Sequence, residues 1–184
     1  MRQAGRDMSR RIALLRAVNV GGRKLPMAEL RALCGELGWK DVETYIQSGN
    51  IVFAAAGEAD AVEARLEEAI KERFGLDVPV IVRTAAQWSA CIAANPFPRV
   101  AGEEPTRLQL LLSKRAPNAD AAGKLMERAR AGEVVEAAGG ALWFHFPEGV
   151  GTSKLVPALI DKAAGSPSTS RNWRTVLKLQ EMLE

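Results

Sequence analysis

Two short polar segments carry the side chains best suited to chemistry, Arg16-Ala-Val-Asn19-Val-Gly21-Gly22 and Gln47-Ser-Gly-Asn50. A guanidinium can hold an anion through charge-assisted hydrogen bonds, and carboxamides can orient the polar atoms around it. Arg16, Asn19, Gln47 and Asn50 each interrupt or close an apolar run, where packing alone asks for none of them. A guanidinium in such a run must be paired or reach solvent at the strand end. Asn also tolerates left-handed backbone angles and bonds locally, so Asn19 and Asn50 suit turn-pinning as well as ligand contact. Arg23 and Lys24 follow on the glycine loop, a usual place for solvated charge.

The C-terminal part offers two more candidates. Gly149-Val-Gly151-Thr-Ser-Lys154 lies between a strand signal and a helix signal. There, backbone N–H groups and the Lys154 ammonium can point at a phosphate or carboxylate. The order of residues is not that of a P-loop, and the alternative is a Gly-rich turn with Thr152 or Ser153 as N-cap. In Gly165-Ser-Pro-Ser168-Thr-Ser-Arg171-Asn-Trp-Arg174, Ser168, Thr169 or Ser170 is expected to cap a last helix over residues 171–183. On that helix Arg171 and Arg174 share a face, with Asn172 between them. A cation at a helix N-terminus is disfavoured by tenths of a kcal/mol to about 1 kcal/mol, which an anion, either a ligand or a protein carboxylate, would offset.

Other chemistries find little support. His145 is the only histidine, placed between Phe144 and Phe146 in a strand signal, and reads as a packing residue. Cys34 and Cys91 sit far apart on apolar helical stripes and read as buried thiols, without metal-ligand spacing. No metal and no cofactor is expected. An enzyme built from these residues would be metal-independent, using Arg/Lys electrostatics and a carboxylate base. No carboxylate is tied to the polar segments, so no catalytic residue is assigned.

The sequence pI of about 9.1 invites a nucleic-acid reading. Residues 1–11, however, hold Arg2, Arg6, Arg10 and Arg11 against Asp7, which equals the whole formal excess of +3. The rest sums to zero, so an anion site must come from local clustering. Only one Tyr and five Phe occur, and no aromatic row suits base stacking. No apolar run approaches the roughly 20 residues of a membrane helix. The N-terminus has positive charge but no apolar core of a secretory signal, Met8 is an alternative start, and the cytoplasm is the expected location.

The elements that must position these groups follow from periodicity. In the first half, strand signals at residues 12–18, 42–47, 51–54 and 78–82 alternate with helix signals at 27–37 and 59–74. That is the β-α-β-β-α-β order of a ferredoxin-like half, which places the end of strand one at the same sheet edge as the 47–50 turn. Residues 84–106 read as a helix and linker; Thr84-Ala-Ala-Gln87 matches a capping box, and Asn95-Pro-Phe-Pro98 and Gly102-Glu-Glu-Pro105 read as exposed connection. Residues 107–184 repeat the opening order with strands at 107–112, 133–137 and 142–146 and helices at 118–130 and 154–163. This second half lacks a clear fourth strand and ends in a helix. The fold class is thus α+β, two ferredoxin-like halves after an N-terminal extension of residues 1–11.

Read together, Ala13-Leu-Leu-Arg-Ala-Val-Asn-Val-Gly-Gly22, Thr44-Tyr-Ile-Gln-Ser-Gly-Asn-Ile-Val-Phe53, Val80-Ile-Val-Arg83, Asn95-Pro-Phe97, Ser153-Lys154 and Ser170-Arg-Asn-Trp173 are distinctive. With Met27-Ala-Glu-Leu30, they resemble a bacterial family, domain of unknown function 1697, over nearly the whole chain from Met8. The resemblance implies an α+β fold of ferredoxin-like halves and no established activity. Ala17 stands where the family pattern usually shows Gly, and Arg174 where it usually shows Asn. The first change crowds backbone approach at strand one, and the second adds charge. The expected function is binding of a small phosphate-bearing or nucleotide-like ligand through Arg16, Asn19, Gln47, Asn50, Lys154, Arg171, Asn172 and Arg174. The alternatives are a metal-independent enzyme on an anionic substrate, a nucleic-acid-binding module and a protein-interaction module; no membrane partner is expected.

Overall fold

The computed structural model describes residues 7–184, so Arg2 and Arg6 of the basic N-terminal segment lie outside the described residues. The chain divides into two compact units. The first runs to Gln87 and takes in Met182–Glu184, and the second is Trp88–Glu181.

The first unit contains β1 (Ser9–Leu15), α1 (Met27–Glu36), β2 (Lys40–Tyr45), β3 (Asn50–Ala55), α2 (Ala59–Phe74) and β4 (Val80–Thr84). Its sheet is antiparallel in the order β2-β3-β1-β4. The period-2 pattern of β1 and β3 puts Ala13, Leu15, Ile51, Phe53 and Ala55 on one face, where they pack with Leu30, Leu33 and Cys34 of α1 and Val62, Leu66 and Ile70 of α2. Phe53 stacks on Trp39 with ring centroids 4.3 Å apart. The edge strand β4 is covered from α2: the Glu63 carboxylate accepts Val82 N–H at 2.9 Å and Glu67 accepts Val80 N–H at 2.8 Å. Those bonds satisfy donors that an open edge would leave for another strand.

Two expectations for this unit change. The first strand spans residues 9–15 rather than 12–18, so Ser9, Arg10 and Arg11 belong to the sheet and not to an N-terminal extension. Arg11 is buried because its guanidinium donates to Ala55 O at 3.2 Å and Gly57 O at 2.6 Å. Beyond Leu15 the chain leaves the sheet, and Ala17 with φ of 53° cannot continue a strand. Arg16 therefore lies past the strand end and on neither face.

The segment between the halves holds more structure than a helix and linker. Thr84 and Gln87 form the reciprocal capping box, Thr84 N–H to Gln87 Oε1 at 2.9 Å and Gln87 N–H to Thr84 Oγ1 at 3.1 Å, starting α3 (Ala85–Ala93). The connection read as exposed linker then forms α4 (Pro98–Glu103), with Pro98 pre-set for the first helical position, and a 3₁₀ turn at Pro105–Arg107.

The second unit continues with β5 (Leu108–Ser113), α5 (Ala121–Arg128), β6 (Val134–Ala138), β7 (Ala141–His145), α6 (Pro157–Ala164), β8 (Ser168–Asn172) and α7 (Trp173–Leu183). The strand order β6-β7-β5-β8 is again antiparallel throughout. Leu111, Leu142, Phe144 and Val135 meet Ala121 and Leu125 of α5 and Ile160, Ala163 and Ala164 of α6. The expectation of no fourth strand is overturned: β8 pairs with β5 from Ser113↔Ser168 to Gln109↔Asn172. Its sequence, Ser-Thr-Ser-Arg-Asn, has no apolar alternation, and pairing with β5 supplies what composition does not. Asp161 of α6 fixes its first residue, accepting from both the N–H (3.0 Å) and hydroxyl (2.7 Å) of Ser168. The last helix accordingly starts at Trp173, two residues later than the sequence pattern predicts.

Candidate functional site

Arg16, Asn19, Gln47 and Asn50 belong to the first unit, and Lys154, Arg171, Asn172 and Arg174 to the second. Each group is described within its own unit.

In the first unit the antiparallel register sets Leu14 opposite Asn50, and Leu15 N–H donates to Gly49 O at 2.8 Å. Loop 16–25 thereby meets the 46–49 turn at one end of the sheet. Asn19 joins the two: its Nδ2 donates to Leu25 O at 3.0 Å and Gln47 O at 2.7 Å, and its Oδ1 accepts Leu25 N–H at 2.9 Å. Both amide hydrogens are thus used within the fold. Asn50 is fully buried, with Nδ2 donating to Tyr45 O at 2.8 Å and Ser48 Oγ at 3.0 Å. Both asparagines pin backbone, and neither has an amide hydrogen left for a ligand.

The loop tip is a tight turn. Arg23 N–H reaches Val20 O at 3.0 Å while Gly21 and Gly22 have φ of 56° and 79°, the two positive angles of a type I′ turn that glycine adopts without cost. Arg23 braces it, donating to Ala17 O at 3.0 Å and Asp77 O at 2.5 Å. Ala17, Asn19 and Ile46 also lie at left-handed angles, costly for the β-branched Ile46 above all. What the loop presents outward is Lys24, Val20 and the side chain of Gln47, with Arg16 half-buried at its base.

In the second unit the candidates separate by role. Arg171 sits inside β8, buried, its Nη1 donating to Thr169 Oγ1 and Ser170 O at 2.8 Å each. Burial pulls its guanidinium down to about 10, so the charge persists at neutral pH. The expected helical face shared by Arg171 and Arg174 does not exist, because one residue is in a strand and the other in a helix; the dipole argument for Arg171 falls with it. Asn172 caps α7 through Oδ1, which accepts Thr175 N–H at 3.0 Å. Arg174 is exposed in the first turn of α7.

Lys154 is exposed after a 3₁₀ turn, Val150–Thr152. Neither Thr152 nor Ser153 caps α6, which begins at Pro157 with Val156 before it. Thr152 Oγ1 instead donates to Glu148 O, and Ser153 Oγ donates to Glu133 at 2.7 Å. Glu133 also accepts Arg130 N–H at 3.0 Å and Ala131 N–H at 2.7 Å. A protein carboxylate thus supplies the anion that Ser153 meets. Burial opposes ionisation of Glu133, but the Ser153 hydroxyl and these N–H groups outweigh it and hold the carboxyl below its ordinary range.

Two arrangements escape the sequence. Glu133 resembles any surface glutamate in the chain, and no local signal marks it. His145 is tied to a carboxylate after all: its Nε2 lies 3.2 Å from Glu104, which also takes Arg107 at 3.0 Å, and Phe97 packs tilted on its ring at 6.4 Å. Glu104 is 41 residues away and looks like linker, which is why spacing does not reveal the pair. Cys34 is inert, its thiol pushed up to about 12 by burial. Among the described residues no three His, Cys, Asp or Glu side chains group to hold a metal ion. No helix among them is long and apolar enough to cross a membrane.

A comparison with curated proteins returns no match. Among solved structures, the conserved bacterial protein SP0830 from Streptococcus pneumoniae is similar at a TM-score of 0.71 and 24% identity, over 96% of this chain and 99% of that one. That likeness carries the fold alone. Residues 8–143 match the family described as "Protein of unknown function (DUF1697)", from just before β1 into β7. This chain is a member of the DUF1697 family.

Proposed function

We propose that the protein binds a small phosphate-bearing or nucleotide-like anion at loop 16–24 of the first unit. The observation that carries this reading is a local charge excess on a rigid scaffold. Between Arg11 and Glu29 the chain has Arg16, Arg23 and Lys24 and no carboxylate. The same loop is locked by the three Asn19 hydrogen bonds and the Arg23 brace, so the backbone that carries Arg16 and Lys24 is fixed before a ligand arrives. Pre-organisation removes part of the ordering cost of binding. Gln47, exposed beside this loop, supplies a polar group for the rest of the ligand. Asn19 and Asn50 serve as supports, not contacts. Each unit is read as ferredoxin-like, a reading that the order β2-β3-β1-β4 and its counterpart β6-β7-β5-β8 support. A cytoplasmic location fits a metabolite of this kind. A metal-independent enzyme is the second reading, favoured by the His145–Glu104 pair, in which a carboxylate orients the imidazole.

The test is thermal shift of the full chain across a nucleotide and phosphometabolite panel at low and moderate salt, with Lys24→Ala for comparison. One ligand is expected to stabilise the wild type by several degrees and to lose at least half of that shift in the variant. No shift with any ligand, or an equal shift in both proteins, rejects the loop as the site.

A further inference from the structure

We propose that the anion taken at loop 16–24 is a nucleoside phosphate, whose base covers Val20 and Ile46 while its phosphate meets Lys24. This rests on the anion reading of that loop and narrows it, because inorganic phosphate and sugar phosphates have no apolar face to offer. Among the described residues of the first unit, Met8, Val20 and Ile46 are the large apolar side chains left exposed. Val20, at 56%, and Ile46, at 49%, both lie on the segments that Asn19 clamps. Asn19 Nδ2 reaches Gln47 O at 2.7 Å, with Val20 next in sequence to one end of that bond and Ile46 next to the other.

Neither side chain serves the fold where it stands. Val20 contributes its carbonyl to the turn, accepting Arg23 N–H, a bond that any residue type makes. Ile46 has φ of 48°, an angle that Asn or Gly adopts with less strain than a β-branched residue. Two half-exposed aliphatic side chains fall far short of the roughly 800 Å² per partner of a stable protein interface. They suffice for a single ring system, whose flat face leaves water on settling over them.

The polar groups beside them complete such a site. The side chains of Lys24 and Gln47 are exposed, and neither has a partner among the described residues. The ammonium offers donors to a phosphate, and the carboxamide offers both a donor and an acceptor to a base edge. Asp77, whose carbonyl takes the Arg23 brace, has its carboxylate on Lys71 at 3.1 Å and is no rival for Lys24. Apolar contact for the ring and a few polar groups to orient it is how small-molecule sites divide the work.

The experiment titrates the four ribonucleoside diphosphates into the full chain with labelled Val and Ile methyls, using ribose 5-phosphate, pyrophosphate and adenosine as fragments. At least one nucleotide is expected to bind about tenfold or more tighter than any fragment, and to shift the Val20 and Ile46 methyls together. The variant Val20→Ser/Ile46→Asn should bind that nucleotide about tenfold more weakly and pyrophosphate equally well. It should melt no lower than wild type, because Asn relieves the left-handed angle, so lost folding cannot imitate the result. Pyrophosphate or ribose 5-phosphate binding as tightly as every nucleotide, and weakened by Lys24→Ala, overturns the base contact while the anion reading of the loop stands. Nucleotide binding that survives the double variant, or that leaves either methyl unmoved, overturns the base contact as well. Binding indifferent to Lys24→Ala, or no binding of any probe, overturns both.

Discussion

At the scale of single residues, the side chains that look most like ligand contacts are mostly builders. Asn19, Asn50 and Asn172 give their amide groups to backbone, and Ser153 gives its hydroxyl to Glu133. Glu133 has the sharpest consequence. Its pKa is lowered in the folded state, so its stabilising contribution is complete above the ordinary glutamate value of about 4.3 and is lost as pH falls through the lower folded value. Glu133→Gln should therefore cost about 1 kcal/mol at neutral pH, and the gap in melting temperature from wild type should close only below about pH 4. Melting curves from pH 3 to 7 check this; a gap independent of pH would mean that the charge is irrelevant. No residue type announces the role of Glu133. A buried carboxylate is recognised by its donors, and these come from residues 130, 131 and 153.

At the scale of elements, strands and helices with strong periodicity are legible, while the connections between them obey geometry that sequence states only in part. Loop 16–25 and the 46–49 turn show both cases. Gly49 can be only glycine: its φ is +87°, and a Cβ there would lie 2.7 Å from Leu15 Cβ and 2.8 Å from a Val18 methyl. Gly49→Ala should destabilise by roughly 2–5 kcal/mol, combining left-handed strain with overpacking. Ala17 is the opposite case, an alanine at φ of 53° with an exposed side chain. Ala17→Gly should stabilise by up to about 1 kcal/mol, the relief of strain exceeding the added chain entropy. Denaturant titration of both variants measures the signs; a stabilised Gly49→Ala or a weakened Ala17→Gly would contradict this backbone geometry. Ala17 does not crowd the backbone at strand one as its departure from the family's Gly suggests: it lies past the strand end with an exposed side chain, and what it costs is the left-handed angle. β8 is not legible in the sequence because a polar strand is held by its neighbour and by Asp161, not by its own alternation.

At the scale of the whole molecule, charge is the property the sequence states most directly. A chain beginning at Met8 loses Arg2, Arg6 and Asp7 and so falls from a formal +3 to +2. So small an excess gives little counterion release on a polyanion, and this shortened chain should leave a heparin column below about 0.2 M salt. Retention beyond that would reveal a basic patch dense enough for nucleic acid and would favour that alternative over a small ligand. The sequence alone determined the order of most elements, the capping box at Thr84 and Gln87, the α+β class and the family. These rest on local periodicity, capping chemistry and residue pattern, all of which act between near neighbours along the chain. Only the tertiary structure decided that Asn19 clamps Gln47, that Arg171 lies buried in a strand, and that Glu104 holds His145. Each of those joins residues 28 or more apart, or depends on strand pairing, and such contacts exist only once the sheet and its helices have come together.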